Sequence, residues 1–357
     1  MHFSRLFILL LSTLLLSPIS QALVILQYHH IDATTPPVTS ISPDNFEQHM
    51  QLLEKEGMQV VDLKAALLAL QNGEVLPLKA VAISFDDAWE SIYLNAFPLL
   101  KKRNWPFTIF VNTQAVDEKH KKVASWEQLA DMQQYGGTMA NHSHSHPYLI
   151  EKPTDLSLDE WLTKEVIEPE KRIQKKLGVS HKMLAYPYGE FNTDIADWLK
   201  QKGYIAFGQQ SGPVGKHSHF QALPRFPAAG IYANPKTLKT KLKTLAFPIT
   251  SEQLVDPVLA ENNPPELTVS FVSNDLYRSQ IQCFASGEGA IKTEAKAQKI
   301  LNPETDKEDQ HIRIVTQAEK PITAGRGRYN CTAASKKHKG FYYWYSQVWI
   351  NTDVKKR

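Results

Sequence analysis

Between residues 23 and 248 the hydrophobic positions switch repeatedly between two periods. Runs apolar on both faces, at 23–31, 58–63, 80–85, 107–112, 138–142, 182–186 and 204–208, predict buried strands. Segments with apolar residues three and four apart, at 43–56, 64–71, 90–102, 159–177, 194–202 and 235–245, predict helices. Ser42 before Pro43 marks a helix start, and Ser125-Trp126-Glu127-Gln128 matches a capping box for a helix that Gly136-Gly137 ends. Repeated strand–helix units predict an α/β fold with a mainly parallel sheet and helices outside. Six or more such units suit a closed or nearly closed barrel, with a doubly wound open sheet as the alternative. Gln27-Tyr28-His29-His30, rather than a Gly-rich phosphate loop, follows the first strand, which argues against dinucleotide binding.

Past residue 249 the period changes. The stretch 251–266 contains Pro257, Pro264 and Pro265 and predicts a linker. Strand patterns at 267–272, 279–285, 311–316 and 341–350 then predict a small all-β, sandwich-like domain over 267–357, with the charged stretch 292–310 as a long loop. Its last strand carries Phe341-Tyr342-Tyr343-Trp344-Tyr345 and Trp349. Alternate residues face opposite sides, so one aromatic set should fill the core; core and edge packing is the expected role of the run, with an exposed set stacking on sugar rings as the alternative.

The chain has 357 residues, 42% hydrophobic and 22% charged, which excludes a disordered tail, a collagen-like fibre and a many-helix membrane protein. A formal charge of +3, without a basic stripe, predicts no nucleic-acid partner. Lys236, Lys239, Lys241 and Lys243 read as a solvated helix face. Arg5, an apolar run over 6–16 and Ser20-Gln21-Ala22 predict a secretory signal peptide at 1–22. The run is shorter than the ~20 residues a span needs. The expectation is an exported protein, periplasmic or secreted, with no stable membrane span after cleavage. In that compartment Cys283 and Cys331 are expected to pair, contributing roughly 4 kcal/mol in the chain-entropy view.

Four polar clusters sit at predicted strand ends, where α/β folds place their active sites. Asp86-Asp87 follows the strand 80–85; two adjacent carboxylates can divide the labour, one binding a metal and the other taking a proton, although such a pair also caps helices. His142-Ser143-His144-Ser145-His146 offers metal ligands: His142 and His146 if the chain turns helically, His142 and His144 if it stays extended. Tyr186-Pro187-Tyr188-Gly189 makes a tight turn that can aim backbone N–H groups at an oxyanion. Arg225 stands alone on the strand-like stretch 223–227.

The order Phe-Asp-Asp, His-Ser-x-x-His and Tyr-Pro-Tyr-Gly resembles the polysaccharide deacetylase family, the NodB-homology domains of carbohydrate esterase family 4, over residues 23–248. The opening Gln27-Tyr28-His29-His30-Ile31 is similar to the first strand of many members. The resemblance implies a distorted (β/α) barrel. It implies a divalent metal, usually zinc, on Asp87, His142 and His146, with Asp86 as catalytic base and the Tyr188 N–H as oxyanion donor. It implies hydrolysis of N-acetyl groups from an N-acetylglucosamine-containing polysaccharide, releasing acetate. Two departures stand out. Many members have Arg at the position of Ala185, where it pairs with the base; here Arg225 is the candidate to supply that charge. The family's late Leu-x-His, source of the general acid, has no counterpart, which leaves His29, His30, His217 and His219 open. These gaps resemble the branch acting on poly-β-1,6-N-acetylglucosamine. They also keep two alternatives in view, a carbohydrate-binding protein on an inactive barrel and an O-deacetylase.

Overall fold

The structure, a computed structural model, describes residues 22–250, 253–302 and 306–354. The expected signal peptide, apart from Ala22, lies outside the described residues. Among the described residues no helix is long and apolar enough to cross a membrane.

The first unit is a curled parallel sheet. Its strands are β1 (Val24–Tyr28), β2 (Ala80–Phe85), β3 (Phe107–Val111), β4 (Gly137–Asn141), β5 (Met183–Ala185), β6 (Ile205–Phe207) and β7 (Phe226–Pro227), in spatial order β7-β1-β2-β3-β4-β5-β6. A short strand, Gln59–Val60, also pairs with β2. All six residues of β2 are buried, as expected where helices cover one face of a parallel sheet and the barrel interior the other. The ring nearly closes: Leu223 bridges Phe207 of β6, and three residues later Phe226 pairs with Leu26 of β1. This is a distorted (β/α) barrel. The helix Pro43–Lys55 shows why the helices sit outside it. Ser42 accepts from the Asn45 amide, Pro43 opens the first turn, and Phe46, His49, Met50 and Leu53 line the buried stripe.

Two predicted helices are interrupted. Each contains a π-helical turn, Ile92–Ala96 and Thr163–Ile167, directly before an α-helix with proline in its first turn, Pro98 and Pro169. Proline supplies no N–H and crowds the carbonyl four residues back, so the ladder widens there. The helix expected over 235–245 stops at Lys241, and the chain enters a second sheet at Thr244.

That second sheet contains β8 (Thr244–Ala246), β9 (Glu266–Val272), β10 (Gln282–Ala285), β11 (Gly289–Asn302), β12 (Lys307–Gln317), β13 (Arg326–Ala334) and β14 (Tyr342–Ile350), in order β8-β14-β13-β10-β11-β12-β9. It is one continuous sheet rather than two stacked ones. Ile249, just past β8, bridges Phe271 of β9, so the sheet curls around Val269, Phe271, Ile312, Ile314, Tyr329 and Tyr343. The stretch 292–310, expected as a loop, forms most of a hairpin. Thr293, Ala295 and Ala297 alternate inward with exposed Lys292, Glu294 and Lys296, a period of two that small residues conceal. Cys283 and Cys331 stand opposite each other on β10 and β13 and form the disulfide.

The aromatic run on β14 is divided between two cores. Tyr343 and Trp349 point into the second unit, while Val348 and Ile350 join Trp161 and Trp198 of the barrel. Trp344 lies edge-on to Phe226, centroids 5.6 Å apart. Only Tyr342 of this strand remains an exposed large aromatic. The stretch expected as a linker runs along the same seam: Ile350 donates to Pro257 O, Leu259 donates to Ile350 O, and Asp256 accepts from the Thr193 hydroxyl.

Candidate active site

The carboxyl-terminal ends of β2, β4, β5 and the β6–β7 region converge on one rim of the barrel. Asp86, fully buried, follows β2. Arg225, also fully buried, reaches it from the stretch that closes the ring, donating from Nη1 to Oδ1 at 2.7 Å and from Nη2 to Oδ2 at 2.9 Å. Such a two-pronged contact matches the planar guanidinium to the carboxylate. Arg225 is itself fixed: its Nε donates to Gly208 O at 3.1 Å and its guanidinium lies over the Phe110 ring. Gln27 Nε2 donates to Asp86 Oδ2 at 2.7 Å. Burial alone would raise the Asp86 carboxyl. The charge of Arg225, followed by those of His142 and His29, outweighs it and holds the pKa at about 2.

Asp87 turns the opposite way, because its backbone is left-handed (φ 70°). Its Oδ1 lies 3.3 Å from His142 Nε2 and 3.2 Å from His146 Nε2, and Trp89 Nε1 holds the other oxygen at 3.1 Å. One ligand atom from each of Asp87, His142 and His146 falls within 4.8 Å of the others. The two histidines face each other across a turn, with ring centroids 4.8 Å apart, because Ser143 (φ 68°) and His146 (φ 58°) are also left-handed. His144 points elsewhere, toward the Thr113 hydroxyl. Burial works against charge on Asp87, but the neighbouring imidazoles of His142 and His146 hold its carboxyl well below the usual range.

Can these residues hold a metal? Nδ1 of His142 lies 2.8 Å from the Ala185 carbonyl, which fixes the proton on Nδ1 and leaves a lone pair on Nε2. That Nε2 is buried and has no hydrogen-bond partner, an orphan that a cation would satisfy. One carboxylate oxygen and two imidazole nitrogens form a donor set that suits a borderline-soft divalent ion with further positions open. The three residues therefore fit a metal site.

Tyr188 sits in the turn after β5, again left-handed (φ 60°, ψ 0°). Its ring stacks on Tyr148 at 4.0 Å and meets His146 edge-on at 4.6 Å. The Gly189 and Glu190 amides donate inside the turn, to Tyr186 O and Pro187 O, and the Tyr188 N–H takes part in neither bond. Among the four histidines left open, His29 lies at the rim, its Nε2 3.8 Å from Asp86 Oδ2. Burial lowers its pKa against the pull of Asp86 and Asp87. His30 instead stacks on Trp89 at 4.1 Å. His219 lines a groove with Lys64, His181 and Lys200 at the opposite end of the barrel.

Three participants escaped the sequence reading. Gln27 was visible in the first-strand motif, but nothing in one sequence tells that its amide meets Asp86. Trp89, two residues past Asp87, carried the signal of an indole N–H within reach of that carboxylate. Arg326 comes from the second unit and carried none: its Nη1 donates to Tyr188 O at 2.6 Å.

Known proteins share this fold and a matching family model. Residues 74–207 match the family model described as polysaccharide deacetylase. A poly-β-1,6-N-acetyl-D-glucosamine N-deacetylase of Staphylococcus aureus is 29% identical over 194 residues, covering 52% of this chain and 67% of that protein. The structure of IcaB from Ammonifex degensii is similar over 62% of this chain and 97% of its own, with 25% identity and a TM-score of 0.55. A Streptococcus pyogenes deacetylase, PplD, shares the fold at 24% identity over 63% of this chain and 99% of its own, with a TM-score of 0.57.

Proposed function

We propose, from the match of residues 74–207 to the polysaccharide deacetylase model and from the site's geometry, that the protein is an exported N-deacetylase that removes acetyl groups from a poly-β-1,6-N-acetylglucosamine-type polysaccharide. The observation that carries this reading is the side-by-side placement of Asp86, clamped by Arg225, and the Asp87–His142–His146 cluster. In this reading the barrel from residue 23 to residue 243 forms the catalytic domain, and the β domain, which the chain enters at Thr244 rather than at 267, braces it. The signal-like amino terminus favours a periplasmic or secreted setting.

Asp87, His142 and His146 would hold the metal, and the N₂O donor set favours zinc. When bound, such an ion supplies Lewis acidity toward the acetamide carbonyl. Asp86 stays ionised across the working range and takes the proton of the attacking water. Arg225 and Gln27 fix the direction of its carboxylate. The Tyr188 N–H donates to the carbonyl oxygen as negative charge develops there. We assign protonation of the leaving amine to His29, 3.8 Å from Asp86, which would pass on the proton that Asp86 takes from the water. Products are acetate and a free amino sugar.

Acetate release by the full mature protein from β-1,6-linked N-acetylglucosamine oligomers tests the reading, with zinc, with a chelator, and with Asp86→Asn. Release requiring both zinc and Asp86 is expected. Zinc-loaded protein that releases acetate only from O-acetylated sugars, or binds oligomers without turnover, would replace it with one of the two alternatives.

A further inference from the structure

Arg326 belongs to β13 of the second sheet, yet its guanidinium crosses to the barrel rim. Nη1 donates to the Tyr188 carbonyl at 2.6 Å, and Nε lies 3.5 Å from Oε1 of Glu190, a carboxylate with no solvent exposure. One side chain thus grips the turn after β5 at two points, two residues apart.

That turn needs a grip. Tyr188 is a non-glycine residue with φ 60°, a conformation that L side chains disfavour and that persists only where the surroundings impose it. Other constraints act on its neighbours. A Cβ on Gly189 (φ 73°) would come within 2.7 Å of Gln209, so only glycine fits there and the turn packs directly on the segment after β6. The Tyr188 ring is held by Tyr148 and His146. Arg326 fixes the remaining element, the carbonyl, and with it the rotation of the Tyr188 backbone. Without that bond the residue is free to relax toward the right-handed region, turning its N–H away from the rim.

We infer that Arg326 is a positioning residue for catalysis: the second unit reaches into the active site and sets the oxyanion-binding turn through the Tyr188 carbonyl, with Glu190 anchoring the guanidinium. The inference rests on the deacetylase reading above. It gives the β domain a part in the reaction without requiring it to touch substrate.

The test uses full-length, zinc-loaded protein with Arg326→Ala and Arg326→Lys. The lysine variant keeps a cation beside Glu190, so its fold is secure even if the alanine variant loosens. For Arg326→Ala, kcat should fall about tenfold with KM within twofold, as for a small misplacement of a transition-state donor. Zinc content should be unchanged and Arg326→Lys intermediate. Amide hydrogen exchange over residues 186–191 should speed up in the same order, a readout that needs no turnover. Unchanged exchange, or an unchanged kcat, overturns the role of Arg326. A wild type that releases no acetate overturns the deacetylase reading instead, and with it the catalytic purpose of the turn, while the exchange rates still decide whether Arg326 holds it.

Discussion

Two aspartates are buried among the described residues, one in each unit, and they are stabilised by different means. Asp275, in the β domain, is 7% exposed and accepts from the Ser335 hydroxyl at 2.8 Å, the Tyr343 hydroxyl at 3.0 Å and the Lys337 amide at 2.6 Å. All three donors are neutral, and together they tie the turn before β14 to the segment after β9. Asp86, in the barrel, is just as buried, but it faces a cation and lies beside a second carboxylate and two imidazoles. Backbone conformation separates the two as well. Asp87, Ala88, Ser143, His146 and Tyr188 are all left-handed without being glycine, and no such residue flanks Asp275. A buried carboxylate is therefore weak evidence of chemistry. Convergent charge on a strained backbone is stronger evidence, because a network serving only stability gains nothing from either.

Exchanging the charges breaks or sustains this contrast. Asp86→Asn should lower kcat about a thousandfold, the scale of a lost general base, beyond the stability it costs by leaving the buried Arg225 without its carboxylate. Asp275→Asn should leave kcat within twofold and cost about 1–3 kcal/mol in urea unfolding, because the new amide N–H₂ faces donors. A catalytic defect in the second variant of the size expected in the first would erase the distinction.

Arg225→Ala comes next. It leaves Asp86 buried and uncompensated, a loss on the order of 3–5 kcal/mol. The sign of its pH effect follows from the depressed carboxyl. With the folded pKa at about 2, this group adds stability that is full above its unfolded value near ~4 and lost as pH falls toward 2. Removing Arg225 lets burial push the carboxyl up. The variant should lose less further stability over that acid range, and its rate should begin to fall at a higher pH than in the wild type. A pH–rate profile that keeps the wild-type shape would deny Arg225 the role of the base's partner.

Zinc should then separate the two units by stability. At a concentration 100 times its dissociation constant a metal adds about 2.7 kcal/mol to the state that binds it. The thermal midpoint should rise with zinc in the wild type and in Asp275→Asn, and should not move in His142→Ala. A rise that survives His142→Ala would place the ion elsewhere.

Much of the site was legible because its chemistry is local. Asp86-Asp87 and His142–His146 are short motifs at strand ends, and the strand at 80–85 announces itself by uninterrupted apolar residues. Arg225 was legible only as a gap to be filled: the absence of arginine at Ala185 demanded a charge, and the ring closure of the barrel is what brings residue 225 to residue 86. Arg326 was invisible, because its contact with Tyr188 spans 138 residues and depends on how one unit sits against the other. The hairpin at 292–310 was missed for a different reason. Its inward positions are Thr and Ala, too small to stand out from lysine and glutamate in a hydrophobic pattern. The aromatic run on β14 was read correctly as strand, but one sequence does not tell a face turned to sugar from a face turned to a neighbouring unit.

Lys241 gives the smallest and sharpest test, since it lies at the seam between the two regions. Its ammonium is buried, donates to Pro227 O at 2.9 Å and lies over the Tyr232 ring at 5.0 Å. Burial, with Arg328 nearby, pushes its pKa down to about 8. Between about 8 and its ordinary value near 10.5 the folded chain therefore holds fewer protons than the unfolded chain, so stability must rise with pH across that window. Lys241→Met should flatten the rise, by about 2 kcal/mol between pH 8 and 10 in urea unfolding, and leave kcat within twofold. That result would place Lys241 with Asp275, as a buried charge that serves the packing of the seam. A kcat that moves with the variant, at constant stability, would mean that charge at the seam is felt at the rim, and the boundary between the two regions would have to be drawn beyond β8.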